Sequence, residues 1–428
     1  MSDSLDDWGG AEFVLAADRL DTPDVIEAAD PGDMLRQVAS SAAQVRTALR
    51  SCQETDLSAF TPDARPRAIV VAGLGGSGLA GEMLGAVAGP SSPVQVVVVQ
   101  AGRLPGWVGA ADAVIAVSGS GATAETLAVT IEAARRGCRL VGVGPKDSPL
   151  HRVAEQARAP FIPVVVAGAP SSMLPRSRLW GLAIPLLAVA ERLGVARVGA
   201  DVYEQAASRL EEVSHQCRPA SESFVNPGKS LALDLVGTLP MVWGTSALSG
   251  VAARRFASQL GENAKYPAIV GLLPETAHGQ IAAFDGPFTP AARPSAGPAG
   301  QAAEPPQIAP RGSAAPFPDS EDLSGLPDLS SWDLDYEDSR PEFTPLRLVL
   351  IVDPAQDQRV AAAQHAVTEL VGQRGIGLSE LAMDGEHPLV RLAGVLQLAD
   401  YATVYLAIAS GIDPSQTAAA ADLQARIE

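Results

Sequence analysis

Positive charge is scarce in this chain. Its 428 residues carry 31 Lys and Arg against 49 Asp and Glu, a formal net charge of −18. No basic stripe offsets that balance, which argues against nucleic acid and anionic membrane surfaces as partners. An anionic small molecule must then be held by local hydroxyls, amides and a few placed cations. Cysteine is scarce as well. Cys52, Cys138 and Cys217 lie far apart, and no pair has metal-ligand or redox spacing; a reducing cytoplasm is the simplest setting, and no metal site is expected. Long apolar runs are missing too. The longest, Leu179 to Ala190, contains Pro185 and is flanked by Arg178 and Glu191, so it reads as a buried core helix rather than a membrane span. Met1 to Gly10 is acidic and polar, with no signal-peptide pattern.

What the chain does have is apolar mass, 47% of residues, and length enough for two or three domains. Residues 1–60 read as a helical segment, with apolar positions at helical spacing between Met34 and Leu49. A strand–helix alternation follows. Ala68–Ala72, Val94–Val99, Ala113–Val117, Leu140–Val143 and Phe161–Val166 are short apolar runs separated by helical stretches, the pattern of a parallel sheet covered on both faces. Helices from Arg178 to Leu193 and Val202 to Cys217 complete a first α/β domain over residues 61–220.

A second domain is expected over residues 221–428. Leu239–Trp243 reads as a strand that runs into Gly244-Thr245-Ser246 and a helix from Ser249 to Leu260. Residues 286–345 are rich in Pro, Gly, Ala, Ser and Asp without apolar periodicity, and read as a disordered, mostly acidic insertion. Order resumes with a strand at Leu346–Val352. Helices at Gln358–Gly372, His387–Ala409 and Pro414–Ile427 follow.

Ser118-Gly119-Ser120-Gly121-Ala122-Thr123 is the most telling segment. It joins a buried strand to a helix from Ala124 to Arg136. A helix N-terminus offers free N–H groups and a positive dipole end, and Ser118, Ser120 and Thr123 add hydroxyl donors. With no lysine in the loop, the dianionic phosphate of a small molecule suits it better than a nucleotide triphosphate. The bland alternative is an ordinary capped turn.

Gly73-Leu74-Gly75-Gly76-Ser77-Gly78 formally matches a dinucleotide fingerprint. The second strand, however, ends in Gln100 rather than the carboxylate that would hold a ribose. A sugar or phosphate lying against the backbone, with Ser77 as donor, fits the turn better. Gly228-Lys229-Ser230 lacks the first glycine of a P-loop and is set aside. Glu262 and His278 are the chemical pair: a carboxylate can carry a proton between adjacent carbons, and a near-neutral histidine can open a sugar ring. Taken alone, each is more often a cap, an ion pair or a structural residue. His151, His215, His365 and His387 receive no chemistry.

In this order, Gly73 to Gly78, Ser118 to Thr126, Pro175-Arg176, Glu262-Asn263-Ala264-Lys265 and His278 resemble the bifunctional phosphoglucose/phosphomannose isomerases. These belong to the sugar isomerase (SIS) superfamily. The likeness runs from about residue 65 to the C-terminus. It implies an α/β fold of two SIS-type domains, each a five-stranded parallel sheet between helices, with sugar phosphate near their interface. It implies a phosphate site at Ser118, Ser120 and Thr123, and substrate contacts at Gly75, Gly76 and Ser77. Arg176 becomes the stabiliser of the enediolate, Glu262 the base between C1 and C2, and His278 the ring opener, contributed by the partner subunit of a homodimer. Thr417 aligns with a threonine that shapes the sugar pocket.

The expected activity is cofactor-free aldose–ketose isomerisation of hexose 6-phosphates through a cis-enediol. Some positions depart from the family. Gly119 and Ala122 replace a larger residue and Asn, Gly279-Gln280 follow His278 where Asn-Glu is usual, and Gln424 replaces a lysine. A placed cation near the reacting oxygens contributes several kcal/mol to transition-state stabilisation. A non-catalytic sugar-phosphate sensor is therefore the competing reading, and a nicotinamide-linked enzyme a weaker one.

Overall fold

A computed structural model describes residues 10–165, 173–290 and 344–427. The described part of the N-terminal segment holds α1 (Gly10–Asp21), α2 (Pro23–Ala29), α3 (Met34–Ala39) and α4 (Ser41–Glu54). Then come β1 (Ala68–Ala72), α5 (Gly76–Ala88), β2 (Gln95–Val99), β3 (Ala113–Val117), α6 (Ala124–Arg135), β4 (Arg139–Gly144), α7 (Pro149–Gln156) and β5 (Phe161–Pro163). The strands form one parallel sheet in the order β2-β1-β3-β4-β5. β1 and β3 are buried along their whole length, which is why they read as continuous apolar runs. β5 ends at Pro163, short of the expected Val166, which lies outside the described residues.

Helices α8 (Leu179–Arg192) and α9 (Gly199–Gln216) lead to α10 (Pro227–Leu235), which Asn226 caps by accepting from the amides of Gly228 and Lys229. β6 (Leu239–Gly244), α11 (Ala247–Gln259), β7 (Ile269–Leu272), β8 (Leu346–Val352), α12 (Gln358–Gln373), β9 (Gly377–Ala382), α13 (Pro388–Ala409) and α14 (Ala418–Ile427) follow. The second sheet is parallel, in the order β7-β6-β8-β9. It has four strands among the described residues, where the resemblance implied five. The last helix begins at Ala418 rather than Pro414, because residues 413–415 form a loop with a role of its own.

Most of the expected insertion lies at residues 291–343, outside the described residues. Its edges are folded, which corrects the 286–345 boundary. Thr289 is buried, and the Leu346 amide donates to the Phe288 carbonyl, seating the segment at the start of β8.

One large core lies between the two sheets. Ile69, Val71, Ile115 and Val117 enter it from the first sheet, and Val242, Val349 and Ile351 from the second, with α8 and α13 among them. The outer faces are separate clusters. Val70, Val114 and Ala116 pack with α6 residues Val129 and Ala133, and Trp243, Leu348 and Leu350 with α12 residues Val367 and Val371. α13 is mostly apolar and almost wholly buried, with Arg391, Gln397, Asp400 and Thr403 buried among its apolar residues. It is long and apolar enough to cross a bilayer, yet 94% of its most apolar window is packed inside the protein.

Candidate active site

In the first sheet the strand order reverses between β1 and β3, so the loops after these two strands open a crevice at their carboxyl ends. Both loops are the ones singled out from sequence, and they touch: the Gly119 amide donates to Ser77 Oγ at 3.3 Å. Gly75 takes φ +53° and Gly121 φ +69°, conformations that glycine adopts without strain.

The three hydroxyls of the second loop converge. Ser118 Oγ lies 2.9 Å from Thr123 Oγ1 and 3.4 Å from Ser120 Oγ, while Ser120 and Thr123 are 3.5 Å apart. Thr123 stands at the N-cap of α6, yet its side chain caps nothing. It turns to Ser118 instead, which leaves the first amides of α6 without a side-chain acceptor. Thr126, in that first turn, is buried with its hydroxyl unpartnered. An uncapped helix end ringed by hydroxyls is a receptor for an anion.

The second sheet has the corresponding turn, and it is closed. Ser246 and Ser249 form a capping box at α11, Ser246 donates to Asp353 at 2.6 Å, and the Asp353 amide donates to Thr245 at 3.0 Å. A carboxylate from the loop after β8 thus fills the crevice that an anion would need. Among the described residues, the second hydroxyl turn is filled by a carboxylate and the first is not.

Arg176 and Arg178 share one 3₁₀ turn, Pro175–Arg178, between the first sheet and α8. Arg178 donates to the Gly119 carbonyl at 3.3 Å and to the Met173 carbonyl at 2.6 Å. Arg176 is buried and faces the second sheet's side. Its Nε donates to Asn263 Oδ1 at 2.9 Å, and its Nη2 to the carbonyls of Pro414 and Ser415 at 2.6 and 3.1 Å. Nη1 makes no hydrogen bond to a described residue. Burial pushes both guanidinium groups below their usual range, and for Arg176 the neighbouring Glu262 pulls the other way. One short turn therefore reaches the anion loop with one arginine and the Glu262 segment with the other. Sequence reasoning missed Arg178. Its only signal was its place two residues after Arg176.

Glu262 lies on a π-helical turn, Leu260–Ala264, that continues α11. Such wide turns inside helices often mark functional sites. Its carboxylate accepts from Ser258 at 2.9 Å and is partly exposed. Lys265 closes the turn with φ +61°. Its ammonium donates to the carbonyls of Glu262, Asn263 and Asp413 at 2.9, 3.1 and 3.3 Å. All three of its protons are engaged, so it clamps the turn to the loop before α14.

His278 and Thr417 are not drawn into this constellation by contact. His278 is exposed beyond β7, and its ring has no hydrogen bond or ring contact with a described residue. Thr417 is exposed, and its carbonyl starts α14 by accepting from Ala420 and Ala421. The loop before it reaches Arg176 through Pro414 and Ser415. The side chain of Gln424 lies outside the described residues. The other lysines offer no replacement cation: Lys229 is buried on the carbonyls of Pro219 and Ser221, and Lys146 is exposed beyond β4.

Residues 224–427 match the family of the bacterial phospho-glucose isomerase C-terminal SIS domain. A bifunctional phosphoglucose/phosphomannose isomerase of Caldicellulosiruptor bescii is 24% identical over 347 residues, covering 81% of this chain and 85% of that protein. The chain is thus similar to the bifunctional phosphoglucose/phosphomannose isomerases. A protein of the same name from Aquifex aeolicus is 28% identical over 222 residues, 52% of this chain and 63% of that one. Among solved structures, a hypothetical protein from Thermus thermophilus superposes with a TM-score of 0.62 at 16% identity, covering 98% and 94% of the two chains. That likeness shows the fold of two packed parallel sheets.

Proposed function

We propose that the protein is a sugar-phosphate isomerase that interconverts hexose 6-phosphates. The observation that carries this reading is the shared turn Pro175–Arg178, with Arg178 on the anion loop and Arg176 beside the Glu262 segment. A ligand with a phosphate at one end and reacting carbons at the other would span those two features. The phosphate sits on Ser118, Ser120 and Thr123 at the α6 N-terminus, with the sugar against Gly75, Gly76 and Ser77. Glu262 takes the proton from C2 and returns it to C1. Arg176 Nη1 meets the negative charge that develops on the enediolate.

The remaining roles need a second copy. Ring opening falls to the partner subunit's His278 in a homodimer with shared sites. The exposed imidazole supports this, as does α14, exposed where described and carrying a 60% exposed Leu423. Thr417, at the start of that helix, borders the sugar. Within this reading residues 61–220 form the phosphate-binding domain and residues 221–428 the domain of the base, and the enzyme works in the cytoplasm without a cofactor.

The test is turnover of fructose 6-phosphate, with coupled detection of glucose 6-phosphate and mannose 6-phosphate, for wild type and Glu262→Gln. A general base contributes about 10²- to 10⁴-fold, so Glu262→Gln should lose at least about 100-fold in kcat. Equal activity in both proteins would refute the assignment of the base. Ligand binding without turnover in the wild type would refute the isomerase and leave the sensor.

A further inference from the structure

The Arg255–Asp400 pair is the most deeply buried ion pair described in this chain. Arg255 on α11 and Asp400 on α13 have side chains 3% and 8% exposed. The pair is bidentate, Nε to Oδ1 and Nη2 to Oδ2, both at 2.9 Å. A buried pair of this kind seldom adds net stability, because desolvating two charges offsets their attraction. Stability alone is a weak reason for its presence.

Its geometry supplies another. Arg255 Nη2 also donates to the main-chain carbonyl of Arg176 at 2.8 Å. Arg176 is thus held at its backbone as well as at its guanidinium, whose Nη2 is already on the Pro414 and Ser415 carbonyls. Its backbone is fixed by Arg255, which Asp400 orients. Its guanidinium is fixed by Asn263, whose amide donates to Thr403 Oγ1 at 3.0 Å, and Thr403 in turn donates to the Asp400 carbonyl at 2.9 Å. The Arg255 and Asn263 anchors both trace back to one turn of α13. Arg176 comes from the first sheet's side of the molecule, but its position is set by the second.

We infer that Arg255 is a positioning residue for catalysis, which acts by aiming Arg176 at the charge that forms beside Glu262; the inference rests on the isomerase reading above. A charge stabiliser must be held to within a fraction of an ångström, and a 1 Å misplacement can cost about 100-fold. Misplacing Arg176 should raise the barrier without changing how the phosphate binds.

Arg255→Lys tests this. Lysine keeps a cation for Asp400 but lacks the fork that also reaches the Arg176 carbonyl. Its kcat for fructose 6-phosphate should fall about 10- to 100-fold, with KM within about threefold of wild type. In an Arg176→Gln background the same change should cost less than about threefold, because the residue it acts through is gone. Should Arg255→Lys not fold, Arg255→Met with Asp400→Leu replaces the pair by apolar groups, and should keep stability while losing kcat.

A binding readout separates this inference from the isomerase reading. Arabinonate 5-phosphate carries a carboxylate where the enediolate charge would be; glucitol 6-phosphate carries none. Arg255→Lys should weaken the first about tenfold or more and the second by less than about threefold. If wild type binds both ligands but turns over no hexose 6-phosphate, the isomerase reading fails and this ratio still judges Arg255. An unchanged ratio, an unchanged kcat, or full independent losses in the double variant would each overturn the inference.

Discussion

Gly121 should be the least replaceable glycine of the anion loop, and its neighbours provide the controls. At φ +69° an alanine there carries the left-handed penalty of about 1–2 kcal/mol. Its Cβ would also fall 2.3 Å from Ser148 Cβ and 2.4 Å from Ser148 Oγ. Ser148 cannot withdraw freely. It is buried and caps α7 by accepting from the His151 amide, and the Gly121 carbonyl accepts from Leu150 at 2.9 Å. Overpacking at such a place costs about 1–3 kcal/mol, so Gly121→Ala should cost about 2–5 kcal/mol in all.

Gly75 also has positive φ, but a Cβ there meets nothing within 4 Å. Gly75→Ala should cost only the backbone strain of a glycine-type conformation, φ 53° and ψ −127°, about 1–3 kcal/mol. At Gly119 a Cβ would make ordinary contact with Leu182 at 3.7 Å, so Gly119→Ala should be nearly neutral. Denaturant unfolding gives the order of stabilities, and calorimetric titration with fructose 6-phosphate gives affinity. Gly121→Ala should also weaken binding at least about tenfold, because the loop must shift away from Ser118 and Thr123. A Gly121→Ala protein as stable as wild type, with the same affinity, would refute both the packing argument and the placement of the phosphate.

Three further outcomes follow from groups outside the loop. Burial pushes the thiols of Cys52 and Cys217 up to about 12 and also raises that of Cys138; none should react with a thiol reagent at pH 8 until denaturant is added, whereas fast labelling of the folded protein would contradict their burial. Arg67 and the Gly109 amide hold the Asp112 carboxyl below its usual range despite its burial. A depressed folded value means stability that is full above about pH 4 and is lost as pH falls through the lower value. Asp112→Asn should therefore lower Tm by a few degrees at pH 7, with the gap closing below pH 4; a constant gap would refute the assignment. Lys265→Met removes three donations to carbonyls and should destabilise by about 1–3 kcal/mol in denaturant, with a fall in kcat that exceeds any change in KM; an unaffected kcat would show that the clamp does not matter to Glu262.

The buried strands were legible because burial on both faces leaves no polar residue to break the run, as in Ala113–Val117. β9 was missed for the opposite reason. It is an edge strand, and the adjacent polar pair Ser379-Glu380 interrupts the apolar run of Gly377–Ala382. β7 was missed because it has only four residues, none fully buried. The anion loop could be read because everything it needs lies within nine residues, from Ser118 to Thr126.

The arginines could not be read in that way. Arg178 meets a carbonyl 59 residues away, and Arg255 a carboxylate 145 residues away. No local pattern distinguishes either from an arginine at the surface. The same holds for the difference between the two hydroxyl turns. Thr245-Ser246 looks as promising as Ser118–Thr123 until Asp353, 107 residues beyond Ser246, is found filling it. A motif can thus state which groups are on offer. Whether they remain free for a ligand depends on what the rest of the chain brings to them, and here Asp353 fills one of two similar crevices and leaves the other open.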